Sequence, residues 1–328
     1  MAALTDAHVP APLGNGPRVV ELRQVRPDQL EHVLTEEAGA WARELDWDFT
    51  GSAALVKRFL EMQALSGFCL VAGGRPAGYS YYVCESGKGL IGDLYIVREN
   101  STAAHEHRLL GAVLDALVNS ALVRRVESQL MMLRWPERAS LPRRDHAHIF
   151  PRQFMRLDLQ RVAALPRRDV RATTFDHWSE RRQDEAASLV AASYRGHVDS
   201  EINDQYRSPA GARKFLANII QYPGCGAFFQ PASFMALDNN TGRLCGMCLS
   251  SLVAQDVGHI TQVCVLPGYK GKGCGYELIR RSLEALARAG CRSASLTVTT
   301  ANTEAIHVYE QIGFTTTRNF SACVWEGF

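Results

Sequence analysis

A glycine-rich basic loop, VLPGYKGKGCG, occupies residues Val265–Gly275 and contains four glycines and two lysines. An apolar run precedes it, and the segment that follows, YELIRRSLEALARAG, has apolar residues at helical spacing. Glycines let a ligand approach the backbone N–H groups closely, and a helix start adds unpaired donors and the positive end of a dipole. The order of strand, basic turn and helix therefore favours a bound anion such as a pyrophosphate.

Two common phosphate-binding loops do not fit this spacing. The Walker loop requires Ser or Thr directly after Gly-Lys, whereas Gly273 follows Lys272 here. The dinucleotide fingerprint requires G-x-G-x-x-G, whereas the glycines at 271, 273 and 275 alternate. On this loop alone, an ordinary glycine-rich turn stays open as an interpretation.

A second motif lies downstream, in the segment NTEAIHVYEQIGF at residues 302–314. Ala305 and Tyr309 are four residues apart and so share one face of the predicted helix. Asn302 is placed to begin this helix and Gly313 to end it. The segment thus predicts a short capped helix that presents a tyrosine.

Loop and helix together resemble the GNAT superfamily, the Gcn5-related N-acetyltransferases. The acetyl-CoA loop of that family, Q/R-x-x-G-x-G/A, matches Lys270–Gly275 with lysine in the first position. The family motif N-x-x-A-x-x-x-Y-x-x-x-G-F matches residues 302–314 without a gap. The resemblance covers about Val170 to Phe328, and it implies an α/β (α+β) fold with a mixed, mostly antiparallel sheet flanked by helices. It also implies acetyl-CoA as the donor substrate.

The resemblance assigns binding roles to residues of the strand, the loop and the last helix. In this family the strand before the loop splays from its neighbour, its backbone pairs with the pantetheine arm, and the loop wraps the pyrophosphate. The residues that match these roles are Val263, Cys264, Val265, Lys270, Gly271, Lys272, Gly273, Cys274, Gly275, Tyr276 and Asn302.

Tyr309 stands where family members place the general acid that protonates the departing CoA thiolate. A phenol with a pKa near 10 is protonated at pH 7 and can donate to that sulfur; a packed aromatic is the alternative. His259, six residues before Val265, stands where histone-acetylating members carry a catalytic glutamate. It is a candidate base, directly or through water, and a histidine that only packs stays open as well.

Further candidates for catalysis are weaker. Glu304 and His307 on the last helix could also take the proton of the amine. Cys264 or Cys274 could carry the acetyl group covalently, but direct transfer needs no nucleophile. We therefore expect direct attack of an amine on the thioester.

The order of strands and helices occurs twice, which indicates two tandem domains. The expected division is a flexible lead at 1–17, a degenerate GNAT-like domain at 18–160, a linker at 161–169 and a catalytic GNAT domain at 170–328. When Val97 is aligned with Val265 without gaps, His105 falls opposite Gly273 and His107 opposite Gly275. Imidazoles there would obstruct a pyrophosphate. The first domain could still shape the acceptor pocket or the domain interface.

Composition bounds the remaining possibilities. A net charge of +2 gives no electrostatic case for binding nucleic acid or a membrane surface, and no apolar run is long enough to span a bilayer. We expect a cytoplasmic monomer or homodimer without a signal peptide.

Cys245 and Cys248 have C-x-x-C spacing, but on a strand their sulfurs should face opposite sides. Two packed thiols, and no metal site, are expected.

The leading hypothesis is an acetyl-CoA-dependent N-acetyltransferase that acts on an amine of a small molecule or peptide. A non-catalytic, acyl-CoA-binding regulatory protein and an acyltransferase for longer acyl groups are the alternatives. Glu201 and Asp204 lie where the acceptor is expected and could attract a cationic amine, although acidic loops are commonly just solvated.

Overall fold

The computed structural model describes residues 16–134, 141–222, 224 and 226–328. Most of the predicted flexible lead, residues 1–15, lies outside them. The described strands are β1 (Arg18–Glu21), β2 (Ser66–Ala72), β3 (Arg75–Glu85), β4 (Lys88–Ile96), β5 (Arg125–Gln129), β6 (Ala147–Asp158), β7 (Thr173–His177), β8 (Ala227–Phe228), β9 (Phe234–Asp238), β10 (Leu244–Ala254), β11 (Val257–Val265), β12 (Ser293–Thr299) and β13 (Thr315–Glu326). The described helices are α1 (Pro27–Leu45), α2 (Thr50–Glu61), α3 (Ala103–Val118), α4 (Gln183–Ser193), α5 (Asp199–Ile202), α6 (Pro209–Gln221), α7 (Cys274–Arg288) and α8 (Thr303–Ile312).

The described strands form one continuous sheet in the order β1-β2-β3-β4-β5-β13-β6-β12-β11-β10-β9-β7, with β8 beside β10. Among these strands the parallel pairs are β4 with β5 and β11 with β12. The predicted fold class, a mixed and mostly antiparallel sheet flanked by helices, is confirmed. No helix within the described ranges combines the length and the apolar character needed to cross a bilayer.

The two halves of the chain exchange their last strands. Strand β6 ends the first half but pairs with β12 of the second half along seven residue pairs. Strand β13 ends the second half but lies between β5 and β6. Trp325 of β13 is fully buried in the core of the first half, where its indole N–H donates to the Pro142 carbonyl at 3.1 Å. The centre of the sheet is therefore built jointly by both halves.

The predicted linker packs against the second half. Val162 of this segment, and Leu159 just before it, are buried in the core that contains α7. The Tyr276 hydroxyl donates to the Pro166 carbonyl at 3.0 Å, and the Arg168 guanidinium lies 4.2 Å from the centre of the Tyr276 ring. The segment thus forms a strap across the start of α7, and the domain boundaries stay a prediction.

The turn before α3 is shorter than its counterpart before α7. A short 3-10 turn and the two residues Ser101 and Thr102 lead from β4 to α3, whereas four residues, Lys270–Gly273, follow the corresponding turn after β11. The ungapped alignment that set His105 opposite Gly273 is therefore wrong, because His105 lies within α3. The first half lacks the glycine-rich turn altogether.

Cys245 and Cys248 are both free thiols, buried in the same core cluster. The expectation that their sulfurs face opposite sides of the strand is wrong, because a register shift between Leu244 and Gly246 interrupts the alternation of β10. Among the described residues there is no group of three or more His, Cys, Asp or Glu placed to hold a metal ion.

Candidate active site

Strands β11 and β12 separate part-way along their length. They pair from Val257 and Ser293 to Ile260 and Leu296, and no further. Beyond that point a cleft of about 690 Å³ opens between them, lined by Thr261–Val265 on one side. Because β12 does not pair with this part of β11, the backbone groups of β11 that face the cleft have no strand partner there and can hydrogen-bond a ligand. The splayed strand that the resemblance implies is present.

The glycine-rich loop closes one end of this cleft. Gly271 and Gly273 have φ angles of +73° and +85°, a region that glycine enters without steric cost. This geometry delivers the chain into α7, whose first N–H groups have no acceptor within the helix. A Cβ atom built on Gly271 would meet nothing within 4 Å, and one on Gly275 would approach Val265 to 3.6 Å. The loop therefore offers open space and unpaired donors, which suit a pyrophosphate.

Of the two loop lysines, only Lys270 lines the cleft. Lys272 instead donates from Nζ to the Gly268 carbonyl at 2.8 Å. A cation that the sequence did not predict takes part: Arg168 of the strap also lines the cleft, and its Cδ atom lies 3.3 Å from the position of a Cβ built on Gly273. The positive charge at this end of the cleft thus comes from Lys270 and Arg168.

Tyr309 lies in the cleft on α8, as the motif implies. Asn302 begins this helix by accepting a hydrogen bond from the Ala305 N–H at 3.3 Å, and Gly313 ends it with a φ of +107°. The side chain of Tyr309 is buried, yet its hydroxyl forms no hydrogen bond with the described part of the chain. Burial raises the pKa of this phenol well above its ordinary value. The group is therefore a protonated donor without a protein acceptor.

His259 does not line the cleft. Its ring is buried edge-on against Trp47 at 4.9 Å and stacked on Phe154 at 6.4 Å, with Nδ1 2.9 Å from the Ser295 hydroxyl. Burial, assisted by the charge of Arg152, lowers the pKa of His259 to about 3. The ring is neutral and weakly basic at pH 7, and this geometry supports the packing role that the sequence left open. The weaker candidates Glu304 and His307 do line the cleft.

The carboxylate on the acceptor side is Asp199 at the start of α5, which lines the cleft. Its Oδ1 accepts a hydrogen bond from the Thr299 hydroxyl, and its Oδ2 lies 3.7 Å from Nδ1 of His197. The two carboxylates that the sequence suggested, Glu201 and Asp204, do not line the cleft. Their side chains are engaged in ion pairs with Arg207 and Lys88, respectively. A position in the sequence cannot show which of several neighbouring acids turns inward.

A polar network forms part of the wall of the cleft. The Tyr194 hydroxyl donates to the Val263 carbonyl at 3.3 Å, and Gln262 donates to the Tyr194 oxygen at 2.8 Å. Tyr206 in turn donates to the Gln262 side chain at 3.3 Å. The ring of Tyr194 also stacks on that of Tyr206 at 4.5 Å. These contacts fix the acceptor-side helices relative to β11.

Residues 197–314 match the sequence model of the acetyltransferase (GNAT) family. This segment is a GNAT domain. It contains α5 to α8, the splayed strands and the whole glycine-rich loop. The assignment rests on the stretch whose geometry has just been described.

The GNAT domain has relatives among curated proteins and solved structures. An uncharacterized N-acetyltransferase of Methanocaldococcus jannaschii is 30% identical over 136 residues, which cover 40% of this chain and 55% of that protein. The chain spans between 29% and 55% of the length of the curated relatives it matches here.

Two solved structures are similar along almost the full chain. A GCN5-related N-acetyltransferase from Sphaerobacter thermophilus superposes with a TM-score of 0.66 at 16% identity, over 96% of this chain and 97% of that one. A tandem GNAT protein from the clavulanic acid biosynthesis pathway gives a TM-score of 0.60 at 14% identity, over 94% and 98%. At these identities the similarity shows the fold.

The first half of the chain contacts the GNAT domain beside its cleft. Lys88 is buried and donates to Glu127 at 3.0 Å and to Asp204 at 2.5 Å. Arg125, also buried, donates to Glu127 and to the Ile202 carbonyl at 3.4 Å. These charged groups of β4 and β5 hold the segment that follows α5. We call Lys88, Arg125 and Glu127 the ionic clamp.

The cleft cysteines of the GNAT domain are poor nucleophiles. Burial raises the pKa of Cys264 to about 12. The hydrogen bond with Cys245, together with burial, raises the pKa of Cys274 strongly. Because the thiolate is the reactive form, neither thiol is activated for carrying an acetyl group.

Proposed function

We propose that the chain is an acetyl-CoA-dependent N-acetyltransferase that transfers acetyl directly to an amine of a small molecule or peptide. The observation that carries the proposal is the Tyr309 hydroxyl, a protonated donor without an acceptor among the residues that the structure describes. It lies in a cleft that ends in an anion-binding loop. Membership in an acetyltransferase family agrees with this chemistry.

The donor substrate would be held along the cleft. Residues 271–276 present backbone N–H groups to the pyrophosphate, and Lys270 and Arg168 add positive charge. The backbone of Val263–Val265, unpaired on the side of β12, would hydrogen-bond the pantetheine arm. This arrangement directs the thioester towards Tyr309.

The acceptor amine attacks the thioester carbonyl, so that a C–N bond forms and the C–S bond breaks. Asp199 accepts a proton from the attacking nitrogen, directly or through water, and Tyr309 donates its proton to the departing sulfur. A weak base suffices, because the amine nitrogen becomes strongly acidic once it has attacked. The products are an N-acetylated amine and CoA with a free thiol. Asp199 releases its proton to solvent and Tyr309 regains one from solvent, which restores both groups.

The test measures release of CoA thiol from acetyl-CoA with a panel of primary amines. We expect Tyr309→Phe to lower kcat by about 10²-fold or more while the Kd of acetyl-CoA stays unchanged. Tyr222→Phe, an exposed tyrosine outside the cleft, is the matched control. The pKa of Tyr309 is raised above its ordinary value of about 10. The phenol therefore keeps its proton at every pH below that value, and its ionisation should not lower the rate there.

Two results would contradict the proposal in different ways. Full turnover by Tyr309→Phe would remove the general-acid role. Tight acetyl-CoA binding without thiol release for any amine would instead indicate the regulatory, non-catalytic alternative.

A further inference from the structure

Arg152 of β6 is a cation in the cleft that has no acidic partner among the described residues. Its guanidinium donates to the Gln129 side-chain oxygen and, at 3.2 Å, to the Thr297 hydroxyl. Its Nε is buried without a hydrogen-bond acceptor. Arg156, four residues further along the same strand, instead forms an ion pair with Asp46.

The missing counter-charge points to a ligand. A guanidinium carries five N–H donors, and the contacts of Arg152 use two of them. The guanidinium also lies 5.8 Å from the centre of the Phe320 ring. This contact supplies no anion, and keeping a partly buried charge without an anionic partner costs free energy. Arginine is also the side chain that best matches the planar geometry of a carboxylate.

The position of Arg152 identifies the acceptor end of the cleft. Its Cα lies opposite that of Thr299, whose hydroxyl donates to Asp199. Its guanidinium contacts Thr297, two residues earlier on the same face of β12, about 7 Å away. Arg152 and Asp199 thus flank one stretch of β12, and both charges act on the pKa of Tyr309. The phosphates of the donor would lie instead at the glycine-rich loop.

The two opposite charges suit an acceptor that carries an amine at one end and an anionic group at the other. Asp199 suits the cationic form in which an amine enters the cleft. The nitrogen releases one proton to solvent before it attacks the thioester near Tyr309. Arg152 suits an anion a few ångströms beyond the amine. No ion pair in the described chain joins the two side chains, so neither charge neutralises the other. Asp199 keeps its contacts with Thr299 and His197 and can still face an amine.

We propose that the acceptor is an amine that also carries a carboxylate, as in an amino acid or the end of a short peptide, and that Arg152 binds this carboxylate. The inference rests on the proposed acetyltransferase function and names the class of its acceptor. Gln129 and Arg152 both belong to the first half of the chain. That half therefore supplies acceptor specificity to a reaction whose donor site lies in the GNAT domain.

The experiment compares matched acceptors that differ only in charge. Free α-amino acids and glycyl dipeptides are assayed for thiol release beside their carboxamides, with the wild type, Arg152→Gln and the control Arg156→Gln. We expect the wild type to favour the acids. Arg152→Gln should raise the KM of the acids by about 10-fold or more and leave kcat with the amides unchanged. Arg156→Gln should keep the preference, although it loses an ion pair with Asp46.

Several outcomes would overturn the inference. Equal kcat/KM for acids and amides in the wild type shows that the acceptor carboxylate is not recognised, while the acetyltransferase proposal stands. An equal loss of kcat with both in Arg152→Gln shows that this residue acts on the reacting atoms instead.

A binding measurement covers the case in which no amine releases thiol, which would contradict the acetyltransferase proposal itself. N-acetyl amino acids and their amides are titrated by calorimetry into protein saturated with CoA. Binding of the acids alone, abolished in Arg152→Gln, supports carboxylate recognition by Arg152. Equal binding of acids and amides, or binding of neither, overturns it.

Discussion

Neighbouring arginines in the strap have different surroundings. Arg168 faces the cleft beside Gly273 and Tyr276, whereas Arg167 lines a separate surface pocket with Phe175 and Arg281. Both are exposed, and they carry the same charge. The pair therefore separates the effect of a local contact with the donor from the effect of net charge.

We expect Arg168→Gln to weaken CoA binding by about fivefold, or about 1 kcal/mol, because one charge-assisted contact to phosphate is lost at an exposed site. The effect should shrink as salt is added. Arg167→Gln should leave the Kd of CoA unchanged, and calorimetry of both variants provides the measurement. Equal weakening by both would show that only the net charge matters.

The residues predicted from the sequence are those whose roles depend on local spacing. Tyr309, Asn302 and the loop glycines follow one another at fixed intervals, so a short motif suffices. Arg152 and Asp199 reach the cleft from elements distant in the chain, and no interval marks them. For His259 the sequence position suggested a catalytic base, but Trp47 of the first half packs against its ring and the residue does not line the cleft. Such environments arise only in the folded chain.

At the scale of elements, the ionic clamp holds the short helix that carries Asp199. Helix α5 has only four residues, and a helix of that length is not stable by itself. Lys88 and Arg125 contact the chain that follows it, from the other half of the molecule. The clamp therefore fixes the acceptor side of the cleft without touching a substrate.

Lys88→Met tests this positioning role. The substitution leaves Asp204 without its cation and Glu127 with Arg125 alone. Breaking a buried pair costs about 3–5 kcal/mol, so a lower Tm is expected. The acceptor KM should rise by about 10-fold while the Kd of CoA is unchanged, and residues 199–207 should exchange amide hydrogens faster. Lys57→Met removes an exposed ion pair of the first half and is the control. A lower Tm with an unchanged KM and unchanged exchange would reduce the clamp to a purely stabilising role.

Elements differ in how clearly the sequence encodes them. Helices α7 and α8 were predictable, because apolar spacing and glycine stops agree. Strand β6 was not, because Pro151, Arg152 and Arg156 interrupt its alternation. Tertiary pairing on both sides, with β12 and β13, overrides the weak local preference.

At the scale of the whole molecule, the exchanged strands predict that neither half folds alone. A fragment of residues 161–328 would lose β6 from the edge of β12 and would leave β13 without its partners. Exposed edges of this kind favour aggregation. We expect each fragment, 16–160 and 161–328, to lack a cooperative melting transition. Co-expression of both should restore the transition and the thiol-release activity.

The control for this prediction is the uncut chain under the same conditions. A cooperative transition, together with acetyl-CoA binding, in the isolated fragment 161–328 would contradict it.

The tandem arrangement itself was foreseeable from the repeated order of elements. The exchange was not, because it depends on which edge of which sheet each last strand reaches.

The exchange of last strands also limits how far the chain could be shortened. The first half has no glycine-rich turn before α3, so it could be taken for a segment that the donor site does not need. Its removal would nevertheless take β6 from the middle of the sheet and leave β13 without β5. The two halves are therefore tied together by backbone hydrogen bonds, and no truncation at the boundary between them spares the strands that flank the cleft.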